Sequence, residues 1–368
     1  MTAQKRIFLC QWIGFIGGAV MKKAIGILMA ALFALSALGA APSALTVRFV
    51  DSVGRAVEIP RRIDRIAVSG ALAQITLFAL CPDKLVGVAE PWSETAKRYL
   101  AEEYHALPEL GQVYGGKQMN LEALIESGAQ IVVDVGEPKK DLADDFDQLQ
   151  AQTRIPFVHV TATLSTMGDA YRMLGELLGM PEEAEALAAA CEAIYAQTSA
   201  LAAGLDKVGV LYLTGDQGLN VIARGSYHAE VIDLLADNRA ALADPSSRGS
   251  GNEVDMEQIL AWDPEVILFS PGSVYASVGG DPIWQNLRAI RDGRYYETPM
   301  GPYNWVGFPP SAQRCLGMMW LAQLLYPDDA QYDLYRAIAD YFKLFYHCEL
   351  TKAQYDELVA NSIGKRRR

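Results

Sequence analysis

Short apolar runs alternate with segments of helical spacing over residues 45–165. The runs RIAVS (65–69), KLVGVA (84–89), QIVVDV (130–135) and PFVHVT (156–161) are rich in Val and Ile, and several lack polar alternation. A run with no polar face predicts a strand buried on both sides, as in a largely parallel sheet. Between the runs the spacing predicts helices over 71–80, 92–104, 120–127 and 141–152. Strand and helix in alternation place this part of the chain in the α/β class.

The pattern changes at residue 165. From there to residue 205 no strand signal occurs. A helix at 167–178 stops at Gly179. Pro181 then opens another at a position where its missing N–H costs nothing. Positions 187, 190/191, 194, 198, 201 and 205 keep helical spacing. A helix from Pro181 to Gly204 would be about 36 Å long. That is too long for a routine crossover and well placed as a strut between two lobes.

After Gly204 the alternation restarts. VGVLYL (208–213), LNVIA (219–223) and EVILFS (265–270) read as strands, with helices expected at 227–237, 255–261, 282–290, 310–325 and 329–345. One internal echo links the halves. NLEALIESGAQIVVDV (120–135) aligns without a gap on DMEQILAWDPEVILFS (255–270). Each begins with a helix-capping Asn or Asp, places a Glu two residues later, and runs through a short amphipathic helix and a turn into an apolar strand. The expected division is a leader over 1–40, an N-terminal lobe over 45–165 and an interdomain helical segment over 166–205. A C-terminal lobe over 206–348 and a tail over 349–368 complete it. Two related lobes on a strut imply a cleft between them, and such interfaces are preferred ligand sites.

Composition adds three points. A chain that is 51% apolar and 21% charged is globular, and its net charge of −12 argues against a nucleic-acid partner. The first forty residues hold four basic residues and no Asp or Glu. From Met21, two lysines precede fifteen uncharged residues (24–38) and then Gly39, Ala40 and Ala41, the layout of a secretory signal peptide. Met21 is therefore the expected start. No Cys follows the apolar segment, so a diffusible periplasmic protein is expected rather than a lipid-anchored one. Cys81, Cys191, Cys315 and Cys348 then remain. They are read as isolated buried thiols, although three pairings are open to them in an oxidising compartment.

The ordered set VRFVDSVGRAVEIP, MNLEALIESGAQIVV, VDMEQILAWDPEVILF, DPIWQNLRAIRDGRYYETP and PPSAQRCLGMMWLAQLLYPD resembles the periplasmic substrate-binding proteins of ABC importers for iron–siderophore, haem, cobalamin and related metal compounds. The resemblance spans about residues 45–348. It implies two Rossmann-like α/β lobes joined by a rigid interdomain helix, modest lobe closure, and a monomer that docks on a permease dimer with its ATPase. It implies one docking glutamate per lobe, which fall on Glu122 and Glu257. No G-x-S-x-G, H-E-x-x-H, Walker or dinucleotide motif is present, so an enzyme is not expected and no catalytic cofactor is called for.

Loops at the C-terminal ends of strands should line the cleft. In them Ser69, Trp92, Tyr114, Lys117, Arg224, His228, Arg248, Tyr275, Tyr303 and Trp305 are candidate ligand contacts. Aromatic faces would pack a bulky chelate, and the cations would pair with carboxylates or oxyanions. Tyr303 and Trp305 lead, because large aromatics in a Gly/Pro-bounded loop would otherwise be a solubility liability. The four histidines are far apart and show no metal-ligand spacing, and His159 reads as a core residue. The expected cargo is an iron complex. Molybdate or tungstate, held by the glycine-rich loops, is the alternative, and a sensor or enzyme on the same lobes is a further one.

Overall fold

The computed structural model describes residues 45–246 and 248–363. The expected leader with its start at Met21, and the basic end 365–368, lie outside the described residues.

The first lobe runs through β1 (Thr46–Val50), β2 (Ala56–Pro60), β3 (Ile66–Val68), α1 (Ala71–Leu80), α2 (Glu94–Lys97), α3 (Leu121–Glu126), β4 (Ile131–Gly136), α4 (Leu142–Thr153) and β5 (Phe157–Thr161). Strands β3, β4 and β5 form a parallel sheet in that order, with Ile131 beside Ile66 and Val132 beside Phe157. Every residue in them is buried except Asp134 and Thr161, which are half-buried. That explains the absence of polar alternation. The run 84–89 departs from expectation, making only single bridges from Leu85 to Ile66 and from Val88 to Glu109. A one-turn helix at Pro82–Lys84 leads into it. At Gly87 the backbone presses so closely on Leu110 that a Cβ would come within 2.6 Å of that side chain. The expected helix over 92–104 breaks into α2 and a single turn at Glu102–Tyr104, because Trp92 is pinned by its indole N–H, which donates to Tyr104 O at 2.8 Å.

The strut forms as two helices, α5 (Met167–Leu178) and α6 (Pro181–Ala203). Gly179 ends the first in the left-handed region at φ 67°, and Pro181, Glu182 and Glu183 open the second. At 23 residues α6 is about 35 Å long. Its buried stripe, Ala184, Leu187, Ala188 and Cys191, is small apart from Leu187, and Gly175 of α5 admits Ala184 where a Cβ would clash at 2.5 Å.

The second lobe contains β6 (Gly209–Thr214), β7 (Asn220–Val221), α7 (Glu230–Leu235), β8 (Asp237–Asn238), β9 (Asn252–Glu253), α8 (Met256–Trp262), β10 (Val266–Phe269), α9 (Tyr275–Val278), α10 (Arg288–Arg291), β11 (Tyr295–Glu297), α11 (Arg314–Leu325), α12 (Leu334–Phe345) and α13 (Lys352–Leu358). The sheet order is β11–β10–β6–β7–β9, with β8 also against β6. β10 is parallel to β11 and β6, whereas β7 is antiparallel to β6 and β9. The run 219–223 is thus a two-residue return strand, turned back by Gly215 and Gly218 at positive φ. Helix α6 packs on α1 of the first lobe and on α7 and α11 of the second.

The internal echo is structural. Asn120 caps α3 by accepting from Glu122 N and Ala123 N at 3.1 Å, and Asp255 caps α8 by accepting from Gln258 N at 2.7 Å. Each helix is followed by a left-handed residue at the same position, Gly128 (φ 66°) and Asp263 (φ 39°), before its buried strand.

From Phe49 onward the described chain is one unit with a core common to both lobes. Several hydrogen bonds tie the lobes beneath the cleft. Tyr227 Oη donates to Ala162 O at 2.6 Å, Leu164 N donates to Glu230 Oε2 at 3.1 Å, and Ser311 Oγ donates to Leu72 O at 3.1 Å. The fully buried Arg314 pairs with Glu230 and lies 4.8 Å over the Tyr227 ring. The segment expected as a tail holds α13, with a Thr351–Gln354 capping box. Glu357 on that helix receives a bidentate pair from Arg98 of the first lobe, at 2.8 and 2.5 Å. Cys81, Cys191 and Cys315 are buried free thiols, and Cys348 is half-buried and free.

Candidate functional site

The cleft opens where β3 and β4 end. Two connected cavities of about 560 and 410 Å³ share Ala71, Leu72, Gln112, Gly115, His228, Gly249 and Pro310. The first-lobe wall is the first turn of α1, the loop around Tyr114 and the residues after β4. The second-lobe wall is Tyr227–His228, Arg248–Gly249 and the loop before α11. At Gly249 a Cβ would meet the Phe308 ring at 2.2 Å, so only glycine lets these two segments touch.

The floor is polar. Ser69 Oγ is hydrogen-bonded to Asp134 Oδ1, and Asp134 Oδ2 lies 2.6 Å from His159 Nδ1. His159 is fully buried and reaches Thr161 Oγ1 at 3.1 Å. The carboxylate stands between the hydroxyl and the imidazole. The imidazole does not touch Ser69, so this set has the members of a hydrolytic triad without its order.

One end of the cavity carries donors suited to an anion, alongside the Asp134 and Glu137 carboxylates. Helix α1 begins at Gly70 with no side-chain cap and no acidic residue in its first turn, and Ser69–Ala73 line the cavity. A helix start leaves its first N–H groups unpaired, and they attract negative charge. Across the same cavity stands Arg248, whose guanidinium forms no hydrogen bond or ion pair with any described residue. Lys139 is there too, 4.0 Å from Glu137. His228 donates from Nδ1 to Gly307 O at 2.5 Å, which leaves Nε2 as the unbonded nitrogen. Burial, aided by Arg314 and Lys139, holds the imidazole below its ordinary pKa against the opposing pull of Gly307 O and Glu137.

The other end is aromatic. Trp92, Tyr303, Phe308 and Met300 line it beside Glu90. The Tyr303 hydroxyl is enclosed beside the Gln74 side chain without a well-formed hydrogen bond, and burial pushes its pKa up against the opposing pull of Gln74. Burial, with Glu109 nearby, also holds the Glu90 carboxyl above its ordinary value.

Six of the ten expected contacts therefore meet in the cleft: Ser69, Trp92, Tyr114, His228, Arg248 and Tyr303. Four do not. Lys117 is ion-paired with Glu109 at 2.7 Å. Arg224 is turned onto Asn238 O at 2.9 Å and Asp237 at 2.5 Å. Tyr275 packs on Tyr295 in the second lobe's own core, ring centroids 5.7 Å apart. Trp305 is fully buried, its indole N–H donating to Gly301 O at 2.9 Å. Burial in the core removes the exposure that nominated it. Leu72, Lys139 and Phe308 were not singled out. Phe308 was signalled by the same Gly/Pro loop as Tyr303, and the α1 start by a strand that runs through Gly70 into a helix with no Ser, Thr, Asp or Asn as its cap.

Glu122 and Glu257 occupy equivalent places in the first turns of α3 and α8, both exposed and neither ion-paired. Among the described residues no three His, Cys, Asp or Glu gather as a metal-ligand set, and no helix is long and apolar enough to cross a membrane.

The family model for periplasmic binding proteins matches residues 74–300. The chain is 25% identical over 344 residues to the molybdate-binding protein MolA of Haemophilus influenzae, covering 83% of this chain and 92% of that one. An ABC transporter solute binding protein from Sulfurospirillum deleyianum superposes with a TM-score of 0.78 at 26% identity, over 85% of this chain and 99% of the other. MolA bound to molybdate superposes with a TM-score of 0.67 at 22% identity, over 83% and 99%. These relatives are substrate-binding transport proteins, not enzymes. By the extent of the family match and by its two-lobed fold, the chain belongs to the periplasmic binding protein family, the solute-binding proteins of ABC transporters.

Proposed function

We propose that this protein works in the periplasm and captures a metal oxyanion of the molybdate–tungstate class, which it delivers to an ABC permease. The carrying observation is the uncapped start of α1 facing the unpaired Arg248 across one cavity. Backbone N–H groups and a guanidinium fork are both donors, as a tetraoxyanion requires. The similarity to a molybdate-binding protein over most of both chains supports the same cargo. Glu122 and Glu257 would seat one lobe on each permease subunit through charge-assisted bonds.

A second reading keeps the iron complex. Volumes of about 560 and 410 Å³ exceed what a lone oxyanion fills, and Trp92, Tyr303 and Phe308 offer faces to an organic chelator. A thermal-shift panel separates the two readings. Molybdate and tungstate at 100 times their dissociation constants should each add about 2.7 kcal/mol of stability, with sulfate and phosphate weaker. A shift with ferric chelates alone would replace the oxyanion by a chelate.

Binding should also depend on pH. His228 sits below the ordinary value of 6.5, so it is neutral in the unliganded protein at pH 7. Its contribution to the stability of the unliganded fold is present above 6.5 and is lost as pH falls toward the folded value. A dianion in the cavity would raise that pKa and draw a proton onto Nε2. Titration calorimetry should therefore show molybdate affinity rising as pH drops from 7.5 to 5.5, by at most about tenfold per unit. His228→Asn should flatten the profile. An equally steep profile in that variant would place the proton elsewhere.

A further inference from the structure

Glu122 and Glu257 are not the only exposed residues that the internal repeat duplicates. One helical turn beyond each stands a large aliphatic side chain on the surface, Ile125 at 50% exposure and Leu260 at 36%. The residue just before each, Leu124 and Ile259, is fully buried. Each helix thus turns one aliphatic inward for the core and leaves the next outward. Only nine large apolar residues among those described are exposed, and two of them fall at equivalent positions of the one segment the lobes share. At i and i+3, Glu and aliphatic lie on the same helix face. Each lobe therefore presents the same two-part surface, an unpaired carboxylate with an apolar neighbour one turn along.

We infer that Ile125 and Leu260 are the apolar half of the docking surface, and that the partner presents, on each of two symmetry-related subunits, a cation flanked by an apolar side chain. This rests on the docking role proposed for Glu122 and Glu257. A pair of matching patches suits a two-fold partner, since each patch meets the same surface. Unpaired carboxylates select for cations, whereas a net charge of −12 and a glutamate in each patch oppose an anionic lipid surface. Apolar contacts that exclude water strengthen the charge pair beside them and lengthen the life of the complex. The two residue types should therefore affect different rate constants.

The test measures binding of the cargo-loaded full chain to its own permease–ATPase complex in nanodiscs, by biolayer interferometry across a salt series. Three forms are compared: the unaltered chain, Glu122→Ala with Glu257→Ala, and Ile125→Ser with Leu260→Ser. The four positions are exposed, so thermal midpoints and cargo affinity should match the unaltered chain. The serine pair is expected to dissociate about tenfold faster or more, with association and its salt dependence unchanged. The alanine pair is expected to associate more slowly and to lose salt dependence. If the serine pair binds like the unaltered chain while the alanine pair fails, the aliphatics are ordinary surface and the inference falls alone. If neither pair matters, or if the unaltered chain does not bind, the docking role of the glutamates falls and takes the inference with it.

Discussion

Arg248→Ala is expected to weaken molybdate or tungstate binding by roughly ten- to a hundredfold and to leave the unliganded protein as stable as before. The size follows from the bond type. A hydrogen bond to a charged partner contributes about 1.5–3 kcal/mol, which converts to about one to two orders of magnitude in affinity. Stability should hold because the guanidinium is exposed and has no partner among the described residues to lose. Surface changes of that kind stay within about 0.5 kcal/mol. Arg248→Lys should recover only part of the affinity, since an ammonium keeps the charge and lacks the planar fork. Arg224→Ala and Lys117→Ala serve as controls of equal charge. Both cations are already turned onto acidic residues outside the cleft, so neither change should move the dissociation constant. Calorimetry at one fixed salt concentration measures all four. Unchanged affinity in Arg248→Ala would remove the oxyanion from this end of the cavity.

The contrast between Arg248 and the other two cations shows how far the sequence reaches into this site. Strand-end position is legible, because parallel strands buried on both faces leave an unmistakable apolar run and their C-terminal loops are fixed by topology. That reasoning places Ser69, Tyr114, His228 and Arg248 in the cleft. Whether a cation is already paired is a property of folded neighbours. Glu109 and Asp237 are eight and thirteen residues from the cations they neutralise, with no spacing rule to mark them. The α1 start left only one mark, a strand running through Gly70 into a helix without a capping side chain. Its donors are backbone groups, and no side-chain motif announces them.

The fold was more legible than the site, for the same physical reason. The strut needed only Gly179, Pro181 and one helical stripe, and the observed helix ends at Ala203, one residue before the expected end. Two readings that failed, 84–89 and 92–104, lie where a close backbone approach at Gly87 and a single indole hydrogen bond at Trp92 override local preference, and the expected helix over 282–290 breaks at the extended Leu287. Tertiary contacts of this sort act on one residue and leave no periodicity to detect.

Trp305→Ala is expected to lower folding stability by about 3–5 kcal/mol, the cost of emptying a buried aromatic site. Against a typical total of about 5–15 kcal/mol, this loss is severe. Trp305 is fully buried, its N–H is satisfied by Gly301 O, and its carbonyl rests on Gly317, where an added Cβ would approach to 2.2 Å. The ring therefore anchors the loop before α11 to the core, and Tyr303 and Phe308 on that loop face the cavity. The expected readout is a large fall in the urea midpoint with cargo affinity per folded molecule within about threefold, because the anion end of the cavity contains no part of Trp305. Tyr303→Phe should behave in the opposite way. Its hydroxyl makes no well-formed hydrogen bond, only a weak approach to the Gln74 side chain, so stability should hold or rise slightly. A drop in affinity there would mean that the hydroxyl meets the cargo. If instead Trp305→Ala kept its urea midpoint and lost the cargo, Trp305 would be a ligand contact after all, and the loop would have to turn its indole into the cleft.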